Sequence, residues 1–196
     1  MGSSPALSRD GTVVYVGSYN RSLYAIDAVH GSKIWSFATG GAVESSPALS
    51  RDGNVVYVGS DDGSLYAIDA VHGSKIWSFQ TRDNVVSSPV TSSDGTVVYV
   101  GSDDGSLYAI DAVTGSKIWS FATGNWVRSS PALSRDSTVV YVGSDDQSLY
   151  AVDAVTGSKI WSFANYNGIV SSPVLSSNSK VVYVGGYDTN IYAVAA

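Results

Sequence analysis

The chain repeats itself every 42 residues, and that period constrains its fold more than any other feature. The tripeptide Ser-Ser-Pro ends at Pro5, Pro47, Pro89, Pro131 and Pro173 without a slip. Residues 45–79 and 87–121 align without a gap and are identical at 30 of 35 positions, differing only at Ala48/Val90, Leu49/Thr91, Arg51/Ser93, Asn54/Thr96 and His72/Thr114. A fixed period of this size marks an architecture in which one supersecondary unit is copied and stacked. Such uniformity reflects recent amplification or engineering.

Each copy holds four short apolar runs. In the second they are SSPALS, NVVYVGS, SLYAID and KIWSFQT, separated by RDG, DDG and AVHG. Gly and Asp tolerate positive φ and close hairpins, so these separators are turns, with Asp-Gly read as a two-residue hairpin. No run carries a helical period of 3.6. Four antiparallel strands in about 40–45 residues make one propeller blade. The expected fold is therefore all-β: a β-propeller of four-stranded antiparallel blades, five-bladed with an incomplete last blade. The blades fall at about 3–44, 45–86, 87–128, 129–170 and 171–196, in a single domain spanning 1–196. The fifth copy stops after its third run, so nineteen strands are expected. Its missing outer strand leaves an open edge at Asn190–Val194, and an open edge is a route to self-association. A fragment of a larger ring, completed by association, is the second arrangement.

Composition agrees. Charged residues make up 14% of the 196, well below the usual quarter, while Gly, Ser, Tyr and Val are abundant. A net charge of -6 argues against a nucleic-acid groove, which needs a basic face. The absence of cysteine excludes disulfides, thiolate catalysis and Cys-ligated zinc, and leaves the compartment open. No apolar run is long enough to cross a bilayer as a helix, so no membrane partner is expected. MGSSPALS has neither the basic nor the apolar region of a signal peptide and enters directly on a repeat, as a cut or mature fragment would.

LYAIDAVTGSKIWSF, Leu107–Phe121, resembles the repeat of the pyrroloquinoline-quinone-type propeller family. That family's tryptophan-docking pattern, Ala-x-Asp-x-x-Thr-Gly-x-x-x-Trp, falls on Ala109, Asp111, Thr114, Gly115 and Trp119, and on Ala151, Asp153, Thr156, Gly157 and Trp161. Asp27, Gly31 and Trp35, and Asp69, Gly73 and Trp77, keep it with His30 and His72 in place of Thr. The resemblance covers the whole chain and implies a structural role. The Asp caps the turn, the Gly supplies the unusual φ, and the Trp lies flat against the next blade. Some members of the family are quinone-dependent dehydrogenases, typically longer and eight-bladed, with quinone and calcium. Others are non-enzymatic assembly lipoproteins and stress sensors that use the propeller for binding, and this chain looks closer to the second group.

No catalytic constellation emerges. His30 and His72 occupy equivalent turns of different copies, which suits a tolerated turn residue better than a base or metal ligand. SDDGS at Asp61–Asp62 and Asp103–Asp104 is too short a donor series for calcium. Asn20–Ser22 fits a glycosylation sequon, with no secretory segment to support it. Neither a catalytic residue, a cofactor nor a metal is assigned.

The copies themselves show where a site could lie. Labelling the strands of each copy A to D outward from the axis, the C–D loops read AVHG, AVHG, AVTG and AVTG, nearly constant. The D–A loops read TGGAVE, TRDNVV, TGNWVR and NYNGIV, and the B–C loops vary as well. A meander places D–A and B–C loops on one face. The candidate binding face therefore comprises Tyr19, Arg21, Glu44, Arg82, Asn84, Trp126, Arg128, Tyr166 and Tyr187. Exposed aromatics and arginines are the residues binding hot spots use. Drift in unconstrained loops is the competing explanation. The resulting expectation is a non-enzymatic binding or scaffold module that takes a protein, peptide or glycan on this face. The alternatives are an amplified or engineered repeat with no ligand, and a fragment of a quinone-dependent dehydrogenase.

Overall fold

The computed structural model describes residues 2–164, 168–169 and 171–196. Among the described residues, nineteen strands form five separate antiparallel sheets and no helix occurs. The first sheet is β1 (Ala6–Leu7), β2 (Val13–Ser18), β3 (Ser22–Asp27) and β4 (Lys33–Ala38), paired in that order. The second is β5 (Ala48–Leu49), β6 (Val55–Gly59), β7 (Ser64–Asp69) and β8 (Lys75–Gln80). The third is β9 (Val90–Thr91), β10 (Val97–Ser102), β11 (Ser106–Asp111) and β12 (Lys117–Ala122). The fourth is β13 (Ala132–Leu133), β14 (Val139–Ser144), β15 (Ser148–Asp153) and β16 (Lys159–Ala164). The fifth has three strands: β17 (Val174–Leu175), β18 (Val181–Gly185) and β19 (Ile191–Ala195). This is the all-β propeller of four-stranded blades, with an incomplete fifth, that the repeat implies.

Two local features differ from the sequence expectation. The innermost strand of each sheet is only two residues long, although SSPALS reads as a full run. Pro lacks the N–H that a ladder needs. The preceding serines take over with their side chains: the Ser45 hydroxyl accepts from Gly59 N–H at 3.1 Å, and the Ser46 hydroxyl accepts from Ser4 N–H at 2.9 Å. The second bond repeats from Ser46 to Ser88, Ser88 to Ser130 and Ser130 to Ser172, linking neighbouring sheets near the axis.

The B–C turn also differs. Asp-Gly does not close a two-residue hairpin. Ser60 and Ser64 still pair, Ser60 N–H donating to Ser64 C=O, so Asp61, Asp62 and Gly63 form a three-residue loop. Gly63 N–H donates to Ser60 C=O, and Gly63 takes φ 83°. This is a type I turn followed by a left-handed residue, the next most favoured hairpin after the two-residue forms.

Between sheets the packing is apolar and repetitive. Tyr15, Leu23, Ala25 and Val43 meet Val56, Val58, Ile68 and Ala70, and equivalent clusters join the second to the third, the third to the fourth and the fourth to the fifth sheet. Both faces of the inner strands are buried, so VVYV and LYAI read as continuous apolar runs rather than alternating ones. Burial raises the Tyr57 and Tyr99 phenols to about 12, and Tyr57 O–H donates to Ala112 C=O across the boundary.

The outer strand carries a β-bulge. Ala25 pairs with Trp35 but Ile26 pairs with Lys33, and the same slip occurs in all four complete sheets. The extra residue turns Ile34, Ile76, Ile118 and Ile160 outward, where they are about half exposed, and aims the adjacent Trp at the next sheet.

Candidate functional site

The docking motif is built as one unit at each sheet boundary. Asp27 Oδ1 accepts from the backbone N–H of His30 and Val29, at 2.7 and 2.9 Å. These bonds hold the Asp27 carboxyl below the usual range, and Asp69, Asp111 and Asp153 are lowered by equivalent bonds. Gly73 at φ 69° lies under the Trp35 ring, so close that a Cβ there would sit 2.6 Å from it. Gly115 lies under Trp77 and Gly157 under Trp119 in the same way. The indole N–H groups of Trp35, Trp77 and Trp119 each donate to an alanine carbonyl of the following sheet at 3.1 Å. His30 and His72 point into solvent, each with Nδ1 beside its own turn aspartate.

The D–A and B–C loops are hooked together. Asp103 N–H donates to Asn84 C=O, Asp145 N–H to Trp126 C=O, and Tyr187 N–H to Gly168 C=O. The second Asp of each SDD is structural: Asp62 Oδ2 accepts from Gly40 N–H and from Tyr66 O–H, and Asp104 and Asp146 repeat both bonds.

The first Asp behaves differently, and sequence reasoning missed it. Asp61, Asp103 and Asp145 are neighbours around Arg128. Arg128 Nε and one terminal nitrogen donate to the two oxygens of Asp103 at 3.0 Å each, a bidentate pair on a nearly buried carboxylate. Burial raises the Asp61 carboxyl, with nearby Glu44, Asp103 and Asp62 adding to the shift. Burial also raises Asp145, partly offset by Arg128. Asp61 Oδ1 and Asp145 Oδ1 have no hydrogen-bond partner. The signal was available as an acidic residue at the same place in three copies, but Asp-Gly turn chemistry accounted for it first.

The Arg128 guanidinium also stacks on Trp126, 3.9 Å from the ring centroid, and Trp126 remains 42% exposed. Trp126, Asp103, Asp104 and Asn125 line a cleft of about 200 Å³. Of the residues singled out from sequence, Trp126 and Arg128 therefore meet directly, and Tyr187 is near enough to affect Arg128. Tyr19 and Glu44 both flank Gly2, while Arg82 and Asn84 lie in the preceding D–A loop. Arg21 sits at the tip of the first B–C turn with φ 65°. Tyr166 lies outside the described residues.

Larger grooves open among the A–B and C–D loops. One of about 610 Å³ runs between Arg51, Tyr57, Ile76, Asp94 and Val113, and related ones lie at other boundaries. They recur with the repeat, so a comparison of copies could not single them out. Around Arg128 the Trp126 face gathers Asp61, Asp103 and Asp145, with Glu44 beside Asp61, so its surroundings are mostly acidic. No group of three or more His, Cys, Asp or Glu residues able to hold a metal occurs among the described residues.

The family described as outer membrane protein assembly factor BamB matches residues 1–93 and 80–196, which together span the chain. Among solved structures, that of BamB from Moraxella catarrhalis superposes with a TM-score of 0.83 at 21% identity. The match covers 99% of this chain and 58% of that one, so this chain spans little more than half the length of that relative. No curated protein sequence matches.

Proposed function

Because this chain belongs to the quinone-type repeat family described as outer membrane protein assembly factor BamB, we propose that it is a non-enzymatic binding module whose partner is a protein. The family's description is of a factor that assembles other proteins, not of a catalyst. The observation that carries the reading is the Trp126–Arg128–Asp103 stack. Trp126 is exposed, yet its ring is held by a guanidinium that a bidentate carboxylate fixes in turn. A rigid aromatic presented beside charge loses little entropy on binding and is the kind of residue that dominates interface energy. The surrounding Asp61, Asp145 and Glu44 favour a partner segment that brings Lys or Arg together with an apolar side chain.

The test is a binding screen of the purified chain against peptide arrays and immobilised proteins, with a glycan array alongside. The expected result is capture of basic–apolar peptides. Trp126→Ala should weaken it at least tenfold, the usual cost of losing a hot-spot aromatic, about 1.4 kcal/mol or more. Binding unchanged by Trp126→Ala and Arg128→Ala removes the site assignment. A second reading, an amplified repeat with no ligand, is favoured by the 30-of-35 identity between copies and predicts no specific capture in any arm of the screen.

A further inference from the structure

The grooves among the A–B and C–D loops follow one plan. At three consecutive boundaries the floor is a tyrosine, Tyr15, Tyr57 or Tyr99, whose O–H donates to an alanine carbonyl of the following sheet. One wall is the isoleucine that the bulge turns outward, and the other is the valine of the next C–D turn. These pairs are Ile34 with Val71, Ile76 with Val113, and Ile118 with Val155. Two A–B aspartates, one from each sheet, lie at the polar end of each groove: Asp10 with Asp52, Asp52 with Asp94, and Asp94 with Asp136.

The chain fills this plan twice with arginines of its own. Arg9 lines the first two grooves and Arg51 the second. The Arg9 stem lies over Gly53, its Cδ 3.4 Å from where a Cβ would stand, and Arg51 lies over Gly95, its Cβ 3.2 Å from the equivalent point. A terminal nitrogen of Arg51 donates across the boundary to Ser93 C=O at 3.0 Å. The third copy carries Ser93 in place of this arginine. The groove between the third and fourth sheets, of about 360 Å³, is therefore lined by no cationic residue. There Ser93 N–H donates to the Ser137 hydroxyl at 3.1 Å.

The carboxylates of that groove are kept. Asp94 accepts from the Ser92 hydroxyl and from the N–H and hydroxyl of Thr96, and Asp136 accepts from Ser134 and Thr138 in the same way. These bonds hold both carboxyls below the usual range, so both are charged at neutral pH. All of them fall on Oδ1. Beside them Ile118 is 49% and Val155 76% exposed. Apolar walls beside two fixed negative charges complement a side chain that is apolar along its stem and positive at its tip.

We propose that the groove between the third and fourth sheets is a second docking site, and that its occupant is an arginine-bearing segment of a partner protein. The arginine stem packs on Ile118 and Val155, and its guanidinium reaches Asp94 and Asp136. The two equivalent grooves, which hold Arg9 and Arg51, show the residue type that this plan accommodates. A planar guanidinium can address two carboxylates at once, which a lysine ammonium does less well. The site lies on the opposite face from Trp126 and does not depend on it.

Two-dimensional NMR of the isotope-labelled chain, titrated with the terminally blocked peptide Gly-Leu-Arg-Leu-Gly, tests this residue by residue. The backbone amides of Ser93, Ile118, Ser137 and Val155 should shift and saturate. The same peptide with Gln in place of Arg should bind there at least roughly fivefold more weakly. Ser93→Arg gives this groove the arginine that its counterparts carry, so the variant should keep the wild-type melting curve and lose these shifts. Arg9→Ser with Arg51→Ser opens the neighbouring groove and should bring new shifts at Ile76 and Val113. Shifts at Asn125 and Trp126 belong to the other face, so failure at one site is distinguished from failure at the other. The absence of saturable shifts at the four groove amides overturns the proposal. So do shifts that Ser93→Arg leaves unchanged, or that the glutamine peptide reproduces in full.

Discussion

At the scale of single residues, the copies act as controls for one another. The third position of the B–C loop takes positive φ in every sheet, as Gly63 and Gly105 but also as Arg21, Gln147 and Thr189. The A–B turn does the same with Gly11, Gly53 and Gly95 against Ser137 and Ser179. A side chain in this region costs about 1 kcal/mol relative to glycine. Gln147→Gly should raise the melting temperature by roughly 2–4 °C, measured by calorimetry, whereas Ser137 offsets its strain with a hydroxyl that accepts from Ser93 N–H at 3.1 Å. The aspartates divide by environment. Asp27, Asp69, Asp111 and Asp153 are lowered by backbone N–H bonds, so the stability they contribute is present above the ordinary carboxylate range and lost as pH falls through their lowered values. Asp61 and Asp145 are raised, chiefly by burial, so ionising them opposes folding at neutral pH. Asp61→Asn and Asp145→Asn should therefore raise the melting temperature at pH 7. The gain should disappear below about pH 4, where the unfolded carboxylate is also protonated. A gain that persists at acid pH counts against this account.

At the scale of elements, the tryptophan dock is the tie between neighbouring sheets. Gly73→Ala places a Cβ 2.6 Å from the Trp35 ring at a residue with φ 69°, and strain and clash together should cost roughly 2–4 kcal/mol. Gly31→Ala has a similar φ of 68° but no neighbour within 4 Å, so it should cost only about 1 kcal/mol. Chemical denaturation of the two variants measures the difference, and equal losses would show that the ring contact contributes nothing. The strand content of each unit was legible because apolar runs and turn residues alternate at a fixed period. The shortness of β1, β5, β9, β13 and β17 was not. It depends on serine hydroxyls replacing a backbone ladder across sheets, a partnership 42 residues away in sequence. The bulge that exposes Ile34 and turns Trp35 inward was hidden for a similar reason, since both residues are simply apolar until the register is known.

At the scale of the whole molecule, each boundary between neighbouring sheets repeats the one before it. The candidate face is only partly legible in sequence. Disagreement among loops pointed to Trp126 and Arg128, but the carboxylate that holds them, Asp103, belongs to a tripeptide that recurs in the neighbouring copies. A residue repeated for its turn can acquire a second role only where one copy supplies a partner, and Arg128 does so once. The sequence by itself determined the class, the unit and the number of strands, because a 42-residue period with four apolar runs has few ways to bury its surface. Only the tertiary structure decided which aspartates meet an arginine and which apolar residues turn outward. The first depends on what lies across a boundary between sheets and the second on strand register, and every copy carries nearly the same residues whatever its neighbour supplies.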